Sequence, residues 1–158
     1  MASPANKLLL QDSNLYSSGY DATAVDYQGY QVGGMIKALP AAAASNYTGY
    51  IDSNSAGNHT LEYAEAIIDV PAIAAHTDST KYVTLELTHG TTTSPTTVVT
   101  SAPTIKIPGV TSTGTSATHI RFRIPPGLNR YIAFKQTVDS GAGTLTASNI
   151  TYRLAVGE

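Results

Sequence analysis

Apolar and polar residues alternate with a period of two through most of the second half of this chain. His119 to Ile124 is the clearest stretch: Ile120, Phe122 and Ile124 fall on one side, His119, Arg121 and Arg123 on the other. That period belongs to a strand with one buried face. Pro125-Pro126-Gly127 ends it, because proline offers no ladder donor and glycine frees the turn. Arg130 to Val138 follows as a strand, with Ile132, Phe134, Gln136 and Val138 sharing a face. Asp139 to Gly143 reads as a turn. Thr144 to Val156 returns as one bent or interrupted strand, alternating through Ile150, Tyr152, Leu154 and Val156. Upstream, Tyr82 to Thr88 alternates through Val83, Leu85 and Leu87, and Thr96 to Thr100 and Pro103 to Ile107 are shorter strands. Thr60 to Val70 reads as a kinked strand stopped by Pro71, and Val110 to Ala117, with Gly114, as a loop.

Short strands at this spacing, with turn residues between them, predict an all-β protein, an antiparallel β-sandwich or jelly roll. At 158 residues the chain is expected to form one domain over 1–158. Residues 27–58 break the pattern. They are rich in Tyr, Gly and Ala, and Met35 to Leu39 and Ala41 to Ala44 suggest helical turns broken at Pro40. The expectation is a long Tyr/Gly/Ala-rich excursion near the N-terminus, either a surface loop or an arm ordered by contact with partner subunits.

Composition then narrows the function classes. Net charge is −2 and 13% of residues are charged, about half the usual share, so a basic nucleic-acid binder is not expected. There is no cysteine to form disulfides or thiolate metal sites. The start lacks the basic-then-apolar pattern of a secretory signal, and no stretch approaches a membrane span, so synthesis in the cytoplasm and no membrane partner are expected.

A search for chemistry finds little. His59, His76, His89 and His119 share no metal-binding spacing. His76, Asp78 and Ser79 lie close in sequence, but no nucleophile-elbow motif accompanies them, and a solvated loop is the expected state. Glu62 and Glu65 give no sign of a carboxylate pair facing across a cleft. Asn46, Asn58 and Asn149 open glycosylation-like triplets that read as chance matches in an Asn- and Thr-rich chain. A non-enzymatic role without cofactor or metal is expected.

Four segments, in order, resemble the capsid cement (decoration) proteins of short-tailed bacteriophages. They are Lys7-Leu-Leu-Leu-Gln-Asp12, Ser94-Pro-Thr-Thr-Val-Val-Thr-Ser101, Arg121-Phe-Arg-Ile-Pro-Pro-Gly-Leu-Asn-Arg-Tyr-Ile132 and Gly141-Ala-Gly-Thr-Leu-Thr-Ala147. The resemblance covers the N-terminal stub and roughly Thr60 to Val156, and leaves 27–58 outside it. It implies a homotrimer at local three-fold positions on the outer surface of the icosahedral head. There the trimer would clamp neighbouring major capsid subunits after expansion, with no nucleic-acid partner.

The residues expected to make contacts are Lys7, Leu8, Leu9, Leu10, Gln11 and Asp12 in the stub, and Tyr27, Tyr30, Met35, Tyr47 and Tyr50 in the excursion. Tyrosine is enriched at interfaces, which motivates the second group. Arg121 and Arg123, on the polar face of their strand, are the alternative attachment. On this reading, deleting Gly29 to Ser55 leaves the sandwich folded and weakens shell binding. Two other function classes stand beside it: a carbohydrate- or receptor-binding sandwich of a tail fibre or adhesin, and a small hydrolase.

Overall fold

The computed structural model describes residues 20–21, 31–52 and 64–156. They form eleven strands: β1 (Tyr20–Asp21), β2 (Gln31–Ala38), β3 (Ser45–Tyr47), β4 (Ile51–Asp52), β5 (Ala64–Val70), β6 (Tyr82–Gly90), β7 (Thr97–Val98), β8 (Ile105–Pro108), β9 (Thr118–Arg123), β10 (Tyr131–Val138) and β11 (Asn149–Val156). One sheet runs β1-β2-β11-β5-β9. The other runs β3-β10-β6-β7, with β4 beside β3 on β10 and β8 beside β7 on β6. Every named strand pair is antiparallel.

The chain changes sheet at each major connection: β2 to β3, β4 to β5, β5 to β6, β8 to β9, β9 to β10 and β10 to β11. This winding makes a jelly roll, with β2-β11-β5-β9 facing β3/β4-β10-β6-β8. The all-β sandwich expected from the alternation is therefore the fold. Inward residues of both sheets form one core, including Ile68 and Tyr152 from the first sheet and Leu85, Ile132 and Phe134 from the second. Phe134 and Tyr152 stack across the layers at 4.6 Å between ring centroids.

The reading of 27–58 as an excursion is corrected over 31–52. Those residues supply β2, β3 and β4 with short connections between them: Met35 to Ala38 are strand, and Ala41 to Ala44 make a single turn closed by the Ala44 N–H on the Ala41 carbonyl at 3.1 Å. β2 lies inside its sheet, between β1 and β11. The physical reason is that β2 needs few large side chains. Met35 at 5% exposure and the following Leu39 at 2% reach the core, while its glycines and alanine leave the alternation nearly invisible. Residues 27–30 and 53–58 lie outside the described residues.

Smaller corrections concern ends. Residues 144–148 form turns before β11 begins at Asn149, and β7 is two residues long. Two loops need glycine. Gly114 has φ +72°, and a Cβ there would sit 2.4 Å from the Ile73 carbonyl oxygen. Its neighbour Thr115 makes a bridge with Ile73 that ties the 109–117 loop to the β5–β6 connection. Gly127, at φ +77°, turns the chain from β9 to β10.

Candidate functional site

The outer face of the five-stranded sheet gathers the chain's polar chemistry. Alternation puts Glu65, Ile67 and Asp69 of β5 outward, while Ala64, Ala66, Ile68 and Val70 are buried. The same rule turns out His119, Arg121 and Arg123 of β9, Thr151 and Arg153 of β11, and Ile36 of β2. Register aligns them in rows. Ile36, Thr151, Asp69 and His119 form one, and Arg153, Ile67 and Arg121 the next. Glu65 then stands opposite Arg123.

Two carboxylates organise this face. Asp69 Oδ1 lies 2.6 Å from His119 Nδ1, which directs that N–H at the carboxylate. The other Asp69 oxygen accepts from Arg153. Glu65 accepts from Arg121 through both Nε and a terminal nitrogen. Ile67, between the two arginines, keeps only 8% of its surface. Such half-exposed pairs contribute at most about 1 kcal/mol each to stability. Their main effect is to hold the guanidinium groups in place. Arg123 stands exposed at the end of β9.

Beside His119 the face dips into a groove of about 400 Å³ lined by Asp69, Val70, Pro71, Thr118, Asn149 and Thr151, among others. Among the described residues its lining holds no Phe, Tyr or Trp side chain. A second cluster lies on the other sheet, where Tyr50 meets Tyr131 edge-on at 5.5 Å and the Arg130 guanidinium sits 5.2 Å from the Tyr131 ring.

The expected contact residues separate accordingly. Arg121 and Arg123 share the outer face of β9. Tyr47 and Tyr50 are half-buried on the opposite sheet. Met35 is a core residue at 5% exposure and presents almost nothing to a partner. Lys7, Leu8, Leu9, Leu10, Gln11, Asp12, Tyr27 and Tyr30 lie outside the described residues. Sequence reasoning missed the partners Glu65, Asp69 and Arg153. They sit on strands distant in sequence from β9, and only the sheet order brings them together.

The solvated state expected at His76 is also corrected. His76 is fully buried, with Nε2 3.1 Å from the Ile107 carbonyl, to which it donates. Its Nδ1 has no hydrogen-bond partner. The Asp78 carboxylate accepts instead from the Thr80 hydroxyl and backbone N–H, which hold its pKa below the usual 3.8. The histidine and the aspartate therefore bond to different partners, Ile107 and Thr80, and make no relay. No group of three or more His, Cys, Asp or Glu among the described residues is arranged to hold a metal ion.

No family model matches the chain, and no curated protein does. Among solved structures, a family 35 carbohydrate binding module from an environmental isolate is similar at 17% identity and TM-score 0.40, over 88% of this chain and 82% of that one. Chitosan-binding module 1 of a chitosanase/glucanase from Paenibacillus sp. IK-5 is similar at 13% identity and TM-score 0.33, over 92% and 96%. Likenesses this distant carry no functional argument. What the site itself offers is a sheet face on which carboxylates hold the guanidinium groups of Arg121 and Arg153.

Proposed function

We propose that this protein is a capsid cement protein of a tailed bacteriophage, a trimer on the outer surface of the icosahedral head that stabilises the major capsid shell. The reading is carried by the four cement-like segments and their order along the chain. Three of them fall on described residues: 94–101 includes β7, 121–132 runs from β9 through the Gly127 turn into β10, and 141–147 precedes β11. A bound cement subunit adds interface that must be lost before the shell opens, so binding stabilises the shell by mass action. A trimer engages several sites at once and gains effective concentration, so each contact can be weak.

Light scattering after size exclusion is expected to give a homotrimer. The protein is expected to co-sediment with expanded shells, not with free capsid subunits, and to raise the temperature at which shells rupture. A monomer that fails to sediment with expanded shells overturns the proposal.

A second reading, a carbohydrate- or receptor-binding domain of a tail fibre or adhesin, is favoured by the groove beside His119. Its carboxylate, amide and hydroxyl groups over Val70 and Pro71 are the kinds of group that hold a sugar. Specific retention on a glycan array, lost in Thr151→Val and His119→Ala proteins, would support it over the cement role.

A further inference from the structure

We infer that the β11–β5–β9 face is the docking surface for the shell, and that the shell segment it receives carries carboxylates. This rests on the cement reading and names the partner's chemistry. Three arginines, 121, 123 and 153, stand on the face against two carboxylates, Glu65 and Asp69. The arginines and carboxylates facing outward on the described residues of these three strands therefore carry an excess of one positive charge, three minus two, on a chain whose net charge is −2. The sign of the surface is thus locally reversed, the condition for steering and register by an acidic partner.

The carboxylates already present do not fill the arginines' capacity. A guanidinium has five N–H donors in a fixed fork, and Arg121 offers Glu65 only Nε and one terminal nitrogen. Arg123 stands opposite Glu65 in register, yet Glu65 turns to Arg121. Arg121 and Arg123 thus project from β9 two residues apart on one side, about 7 Å along the strand. Two carboxylates two residues apart on an extended segment would match that spacing. Apolar surface lies on the same face: Ile36, in the row of Thr151, Asp69 and His119, is 53% exposed, one of two large hydrophobics so exposed among the described residues. Ile36 is diagonal to Arg153 on the neighbouring strand and three strands from Arg121 and Arg123, so the face offers an apolar contact on one side and guanidinium groups across it, residue types enriched at interfaces.

The test uses the full-length protein and expanded shells. Arg123→Glu is the central variant, and Lys106→Glu, on exposed β8 of the other sheet, makes the same change in net charge elsewhere. Arg123→Glu is expected to weaken shell binding at least tenfold and to flatten its dependence on salt, while Lys106→Glu stays within twofold of wild type. Arg123→Lys is expected to keep binding, and a carbodiimide is then expected to couple the introduced amine to a shell carboxylate, located by mass spectrometry. Circular dichroism verifies that each variant is folded. Wild-type protein that does not bind shells removes the cement reading and this inference together. Wild type that binds while Arg123→Glu binds equally well, or while both glutamate variants weaken alike, removes the inference alone. So does failure of the introduced lysine to couple.

Discussion

At the scale of single residues, a buried polar clasp joins the two sheets. Gln136 of β10 has no exposed surface. Its amide nitrogen donates to the Ala38 carbonyl at 2.9 Å and to Asn46 Oδ1 at 2.8 Å, and its oxygen accepts from the Tyr152 hydroxyl at 2.9 Å. Asn46 completes the ring by donating to the same Ala38 carbonyl at 3.0 Å. Buried groups left without partners cost about 1–3 kcal/mol each, so Gln136→Leu should destabilise by about 2–3 kcal/mol in urea unfolding. Tyr152→Phe strands only the Gln136 oxygen and should cost about 1–2 kcal/mol. The tyrosine also sets an alkaline limit. Burial raises its pKa well above the ordinary 10.0. Unfolding restores the ordinary value, so the contribution is complete below about pH 10 and is lost as pH climbs toward the folded pKa. Stability of the wild type should therefore fall more steeply above about pH 10 than that of Tyr152→Phe. Equal slopes would show that Tyr152 is not the residue responsible.

At the scale of elements, legibility followed side-chain size. β6, β9, β10 and β11 were readable because Val, Ile, Leu, Phe or Tyr marks nearly every inward position, and β5 because Ile67, Ile68 and Val70 precede the Pro71 stop. β9 even disclosed its polar face, so Arg121 and Arg123 were found. β2, β3 and β4 were not readable, since Gly33, Gly34 and Ala38 leave no apolar rhythm and β3 and β4 are three and two residues long. The ion pairs were hidden for a different reason: Glu65 and Arg121 are 56 residues apart, and pairing of β5 with β9 is a property of the sheet order. The consequence is a reversed expectation for deletion. Removing 31–52 takes away the strand that covers β11 and both strands that cover the outer edge of β10. Buried Met35, Leu39 and Ile51 go with them. Exposed ladder edges and a core that has lost three large side chains favour aggregation. The deletion protein should be insoluble or lack dispersed amide resonances, and a soluble, well-dispersed spectrum would refute the placement of β2 within the sheet.

For the whole molecule, the winding itself predicts how stability is distributed. Because the chain crosses between sheets at six connections, neither sheet is a continuous stretch of chain that could fold first and recruit the other. β5 and β9 pair within one sheet, yet the whole β6–β8 segment of the other sheet lies between them. Most contacts are consequently between residues far apart in sequence, which slows folding and couples the layers. Their shared core has no seam, since Phe134 of one sheet stacks on Tyr152 of the other and the Gln136 clasp spans both. The β11–β5–β9 face is held on such a body and would not loosen independently of it, so the proposed docking would cost little ordering entropy. Equilibrium unfolding should then be a single transition. Amide exchange in β6 and in β5, near-ultraviolet dichroism of Tyr152 and far-ultraviolet dichroism should all report the same midpoint, and the slowest amides of both sheets should exchange only through global opening. If one sheet released its amides well before the other, the layers would be separate cooperative units and the docking face could be reordered on binding.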